Sequence, residues 1–112
     1  MEAGREGLTR VQNLTPDDVA KGMRERTILL VDVREERETV VERIPGALLM
    51  PLSEFDPAAI PDPQGRRVVF ACASGVRSVR ASQIAQTEGH AYDAHLAGGL
   101  KAWRAAGYPS ET

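Results

Sequence analysis

Two apolar runs constrain this chain most: TILLVDV, Thr27 to Val33, and RRVVFAC, Arg66 to Cys72. Each is rich in β-forming residues and lacks the apolar–polar alternation of a half-exposed strand. Such runs are the mark of strands buried on both faces, as in a parallel sheet. A sheet buried on both faces needs helices to cover it, and helical signals lie between the runs.

The strongest of these is LTPDDVAKGMRER. Thr15 is placed to cap, Pro16 suits the first helical position, and Asp17 and Asp18 complement the positive end of the helix dipole. Leu14, Val19 and Met23 are spaced to share one face. Residues 9 to 13 read as a short first strand, Glu35 to Glu42 as a short polar helix and Pro45-Gly46 as a turn. ALLM, Ala47 to Met50, reads as a short buried strand closed by Pro51. Residues 53 to 65, with three Pro and a Gly, predict a loop with at most a helical turn. Val76 to Glu88 reads as a helix stopped by Gly89. AYDAHLA is a weaker strand, and Gly98-Gly99 leads into a last helix, Leu100 to Ala106, with Trp103 inward and Gly107 at its end.

Strands thus alternate with helices over 112 residues, a length that suits one domain. The expectation is an α/β domain over residues 8–112, with a mostly parallel sheet and helices on both faces, behind a loose polar tail over residues 1–7. In such sheets the site lies at the carboxyl edge of the strands. Asp32 and Arg34 end one run and Cys72 ends the other. Parallel neighbours would bring all three to one rim.

Net charge is −2, which makes no case for nucleic acid or an anionic membrane as partner. No apolar run approaches a membrane span, and MEAGREG lacks the basic start and apolar stretch of a signal peptide. A single Cys forms no internal disulfide. The expected location is the cytoplasm. One Cys and two distant His make no metal site, and no cofactor is expected.

The chemistry concentrates in CASGVRS, Cys72 to Ser78, between a strand end and a helix start. Helix N-termini offer unpaired N–H groups and partial positive charge. The small residues Ala73, Ser74 and Gly75 let successive amides curl into a concave nest, which Val76 continues. A thiolate in that nest is stabilised, so the Cys72 pKa should fall and the thiol should be open to solvent. The same nest suits an anionic persulfide on Cys72. Arg77 adds positive charge if it bends toward the rim, and Ser78 caps or donates within the loop.

Four segments together resemble the rhodanese sulfurtransferase family: LLVDVREERE, RIPGALLMPL, CASGVRS and AGGLKAW, in that order, within residues 13 to 109. The resemblance implies a five-stranded parallel sheet and a Cys72 that carries a persulfide, with Ala73 to Arg77 lining the sulfur pocket. It implies transfer of sulfur from a small donor such as thiosulfate to cyanide or a cellular thiol. A protein acceptor is the variant in which the domain works as a sulfur relay or docking module. Arg43 stands where many relatives have His, and the loop, with one Arg, lies between thiosulfate-using and mercaptopyruvate-using patterns. The sulfur donor therefore stays open at this point.

The competing enzyme class is phosphatase or arsenate reductase chemistry. Cysteine phosphatases separate Cys and Arg by five residues, whereas Ala73, Ser74, Gly75 and Val76 are four. The shorter ring suits one sulfur better than a phosphoryl group, and no second Cys is present for an internal disulfide. Asp32 braces the loop or pairs with an Arg. Arg34 is expected as an ion-pair partner on the rim, with Glu38 as its carboxylate. His90 and His95 read as surface or core residues, and Trp103 as core.

Overall fold

The computed structural model describes residues 10–112. The expected tail over residues 1–7, and Leu8 and Thr9 at the expected domain start, lie outside the described residues. The chain forms β1 (Gln12–Leu14), α1 (Pro16–Arg24), β2 (Ile28–Asp32), α2 (Glu36–Thr39), β3 (Leu48–Leu49), β4 (Arg67–Ala71), α3 (Arg77–Thr87), β5 (Ala94–Leu96) and α4 (Gly99–Ala105). Two single-turn 3₁₀ segments, Leu52–Glu54 and Pro57–Ala59, occupy the proline-rich loop.

The strands make one five-stranded sheet in the order β1-β5-β4-β2-β3. Every neighbouring pair is parallel. The two apolar runs lie side by side, with Ile28 opposite Arg67 and Asp32 opposite Ala71. Successive side chains of a strand point to opposite faces, so each run feeds two cores. Leu30, Val69, Ala71, Ala94 and Leu96 pack under α1 and α4 with Val19 and Trp103. Leu29, Val31, Val33, Phe70 and Cys72 pack on the other face, with Ala81 and Ala85 of α3.

The start of α1 follows the sequence. Thr15 Oγ1 accepts from the Asp18 amide and Asp18 accepts from the Thr15 amide, both at 3.1 Å. This reciprocal cap satisfies two otherwise unpaired donors. Leu14, Val19 and Met23 do share one face, the α1 side of the sheet. Gly89, at φ +92°, follows α3, and Trp103 is buried at 4% exposure.

Two expectations need correction. The segment Ala47 to Met50 is not a buried strand: only Leu48–Leu49 pair, and Leu49 is 36% exposed. It is an edge strand with β2 on one side only, so its other edge is unpaired. The polar helix is one turn, Glu36–Thr39, instead of running to Glu42. Val40 and Val41 follow it exposed at 62% and 67%. β-Branched residues without core contacts do little to prolong a short helix.

Candidate active site

The register of β2 against β4 fixes the rim. Asp32 pairs with Ala71, and the Val33 amide donates to the Ala71 carbonyl at 2.8 Å. Arg34 and Cys72 therefore leave the sheet at the same carboxyl edge. Alternation then separates their neighbours. Cys72 falls on the α3 face with Val31 and Val33. Asp32, one residue from each of those valines, falls on the opposite face.

Asp32 consequently does not brace the cysteine loop. Its carboxylate accepts from Arg34 Nη2 at 2.9 Å and from Arg34 Nε at 3.2 Å to each oxygen, and it also caps the Arg34 amide at 2.9 Å. Arg34 Nη2 donates on to the Glu42 carbonyl at 2.8 Å. Both side chains are 5% exposed. Arg34 is thus a buried ion-pair partner, with Asp32 and not Glu38 as its carboxylate. The local reason is distance along the chain: two residues past a strand end, the guanidinium folds straight back.

Glu38 belongs to the loop instead. Its carboxylate takes Arg77 Nη1 at 2.7 Å and Nη2 at 2.9 Å, a two-pronged contact. Its Oε2 also accepts from the Glu35 amide at 2.9 Å, capping α2. Arg77 hydrogen bonding, ahead of a smaller opposing effect of burial, holds the Glu38 carboxyl down at about 2. Arg77 therefore turns toward α2 and does not place its fork over the sulfur. Its charge is still felt at Cys72, whose thiolate helps to raise the Arg77 pKa after the Glu38 contact.

The nest itself is present. Cys72 Sγ accepts from the Gly75 amide at 3.1 Å and the Ser78 amide at 3.3 Å, and lies 3.5 Å from Ser78 Oγ. Burial pushes the Cys72 thiol up, but hydrogen bonds from Ser78, Gly75 and Ser74 outweigh it and hold the pKa below the ordinary value. Gly75 adopts φ +101°, the left-handed region in which its amide can turn inward. From below, α4 pins the loop backbone: the Leu100 amide donates to the Cys72 carbonyl at 2.8 Å and the Lys101 amide to the Ala73 carbonyl at 3.1 Å. With those carbonyls held toward α4, the following amides face the sulfur. A Cβ on Gly99 would lie 2.4 Å from the Cys72 oxygen, so only glycine permits this approach. That is the physical content of the AGGLKAW segment.

One expectation fails. The thiol is not open: Cys72 is 2% exposed. The sulfur sits under its own loop, against the apolar α3 face, while Ser74 and Val76 form the exposed outer wall.

His95 is the residue that sequence reasoning missed. It is buried at 3%. Its Nδ1 lies 2.7 Å from Ser78 Oγ and its Nε2 lies 2.7 Å from Asn13 Oδ1. Strand alternation held the signal. Ala94 and Leu96 face the α1 side, so His95 faces the cysteine side. Using it required knowing that β5 lies between β1 and β4. His90, by contrast, stacks on Tyr92 at 5.3 Å, away from the loop. Arg43 is peripheral: it bridges to Glu111 at 3.1 Å and ties down the C-terminal segment.

Comparison with known proteins places the geometry in a wider setting. The family model described as Rhodanese-like domain matches residues 15–106. A sulfurtransferase of Allochromatium vinosum is 35% identical over 82 residues, covering 73% of this chain and 77% of that protein. An uncharacterised protein of Synechocystis is 37% identical over 97 residues, covering 87% of this chain; the chain spans 54% of that relative's length. Among solved structures, the thiosulfate sulfurtransferase of Pseudomonas aeruginosa superposes with a TM-score of 0.79 at 27% identity, over 98% of this chain and 21% of that one. A Rhodopseudomonas palustris protein of unknown function, described as a possible tyrosine phosphatase, superposes with a TM-score of 0.76 at 32% identity, over 90% and 85% of the two chains.

Proposed function

The chain belongs to the rhodanese-like domain family, and from that premise we propose that it transfers sulfane sulfur through a persulfide on Cys72. The reading is carried by the convergence of the Gly75 and Ser78 amides on Sγ at 3.1 and 3.3 Å. Those donors stabilise negative charge on sulfur.

The reaction has two displacements. The Cys72 thiolate attacks the outer sulfur of a donor such as thiosulfate. A sulfur–sulfur bond forms to Cys72, the donor's own sulfur–sulfur bond breaks, and sulfite leaves with the electron pair. The outer persulfide sulfur is left anionic within the nest of Ala73, Ser74, Gly75, Val76 and Ser78. A nucleophile, cyanide or a thiol, then attacks that sulfur, and Cys72 departs as the thiolate. No redox partner, metal or organic cofactor enters the balance. Because Cys72 is 2% exposed, transfer requires the small-residue segment to give donor and acceptor access to the sulfur. A single thiol in a lowered-pKa nest suits a reducing compartment, the cytoplasm.

Phosphatase chemistry fits less well. The Cys72–Arg77 loop has four intervening residues, and Arg77 is engaged by Glu38 instead of facing the bowl. The binding-module variant, a sulfur relay to a protein acceptor, shares the first displacement and differs only in the second.

The test is mass spectrometry of the intact chain after thiosulfate treatment without reductant. The wild type gains one sulfur. Cys72→Ser gains none and keeps its fold by circular dichroism. A sulfur adduct on the folded serine variant, or none on the wild type with any sulfane donor, overturns the reading. Thiocyanate formation with cyanide then separates turnover from relay.

A further inference from the structure

A buried imidazole stands two hydrogen bonds from the thiol, and the placement of Asn13 Oδ1 against the ring sets the direction of each bond along the way. Asn13 Oδ1 can only accept, so the 2.7 Å contact makes His95 Nε2 the N–H donor. The neutral ring then has a bare Nδ1, which accepts the Ser78 hydroxyl hydrogen at 2.7 Å. Ser78 Oγ, its own hydrogen committed to the ring, faces Cys72 Sγ at 3.5 Å with a lone pair and accepts the thiol hydrogen. Every hydrogen in the row points away from sulfur, through Ser78 to His95 and on to Asn13.

From this arrangement we propose that Ser78, His95 and Asn13 form a proton relay that takes the Cys72 proton inward and makes His95 a positioning residue for the reactive sulfur. This rests on Cys72 being the sulfur-carrying thiol. The step balances as one proton moved. The Sγ–H bond breaks with the electron pair left on sulfur, and that hydrogen binds Ser78 Oγ. The original Ser78 O–H bond breaks, and its hydrogen binds His95 Nδ1. Afterwards the new Ser78 O–H points at the thiolate as an added donor, and the imidazolium donates to Ser78 and Asn13. The negative sulfur and the positive ring thus form one coupled pair.

The surroundings support this assignment. β1 presents Asn13 to the ring, α3 presents Ser78, β4 presents Phe70 in register, and the loop presents Gly75. Cys72 is the titratable group at the other end of the row. Burial lowers the His95 pKa, which holds the resting ring neutral with Nδ1 bare; the thiolate across Ser78 is the charge that then stabilises the imidazolium. Arg77 adds positive charge near the sulfur, but Glu38 holds it.

Two readouts test the relay, both in protein with no sulfur donor present. The first is the pH profile of Cys72 alkylation by iodoacetamide in wild type and His95→Asn. The variant keeps a polar atom opposite Ser78 that takes up no proton. Its apparent thiol pKa should rise by about one unit, slowing alkylation below that pKa roughly tenfold. The second is the ¹⁵N NMR titration of the His95 ring in wild type and Cys72→Ser. With no thiolate to pair with, the ring should titrate about one unit lower in the serine variant. An unchanged thiol profile in folded His95→Asn, or an unchanged His95 midpoint in Cys72→Ser, overturns the relay. If His95→Asn does not fold, the Cys72→Ser comparison decides alone. Wild-type protein that loads sulfur but fails these tests loses the relay and keeps the function; the reverse pattern loses the function and keeps the relay.

Discussion

Two arginine–carboxylate pairs flank the same sheet edge, and they serve different ends. Asp32–Arg34 lies on the α1 face with both side chains 5% exposed. Arg77–Glu38 lies beside the cysteine loop with its side chains 34% and 28% exposed. Each is a planar fork on a carboxylate. The first is sealed from water and holds the backbone after β2, through the Arg34 amide and the Glu42 carbonyl. The second joins α2 to the start of α3 and sets the charge near Cys72 without touching it. Burial decides the role: a sealed pair is costly to break, whereas a half-wet pair is cheap to break and free to tune its surroundings.

The sharpest way to break this comparison is Asp32→Ala. It leaves a buried guanidinium without its partner, which should destabilise the fold by about 3–5 kcal/mol, read by denaturant unfolding. The variant that remains folded should still take up one sulfur at Cys72. A cost near zero would show that Arg34 reaches water when released, and the two pairs would then be alike.

Glu38→Gln should cost much less, under about 1 kcal/mol, because the pair is partly solvated. Its telling effect is on reactivity. An Arg77 released from its carboxylate adds uncompensated positive charge near the thiolate, so alkylation at a pH below the thiol pKa should quicken, by a few-fold at most. Slower alkylation would mean that the ion pair shapes the nest rather than tempering its charge.

The smallest expected effect is the pH dependence of the same pair. The Glu38 carboxyl titrates at about 2 in the folded chain, against 4.5 for the unperturbed group. Its contribution to stability is therefore complete above 4.5 and lost as the pH falls toward 2. Partial exposure keeps that contribution under about 1 kcal/mol. Subtracting the acid unfolding curve of Glu38→Gln from that of wild type should isolate a shallow slope in this window. No difference between the curves would mean that the ion pair contributes nothing to stability.

Much of this molecule was legible before any coordinates. The apolar stretches Ile28 to Val31 and Val68 to Cys72 pointed to strands covered on both faces, because nothing in them is fit to meet water. Thr15, Pro16 and Asp18 marked a helix start through local hydrogen bonding alone, and Cys72 at a strand end before small residues implied converging amides. These features depend on residues close in the chain or on a residue's preference for water or oil. Chain order did not disclose strand order. That β5 lies between β1 and β4 is what brings Asn13, Ser78 and His95 into one row, across 82 positions from Asn13 to His95. Tertiary structure also chose the partners of the arginines, giving Asp32 to Arg34 and Glu38 to Arg77. It covered the thiol that the sequence suggested would be open. The physical reason is the same in each case: a side chain's charge and shape are local properties, but which groups it meets depends on how the strands are laid side by side.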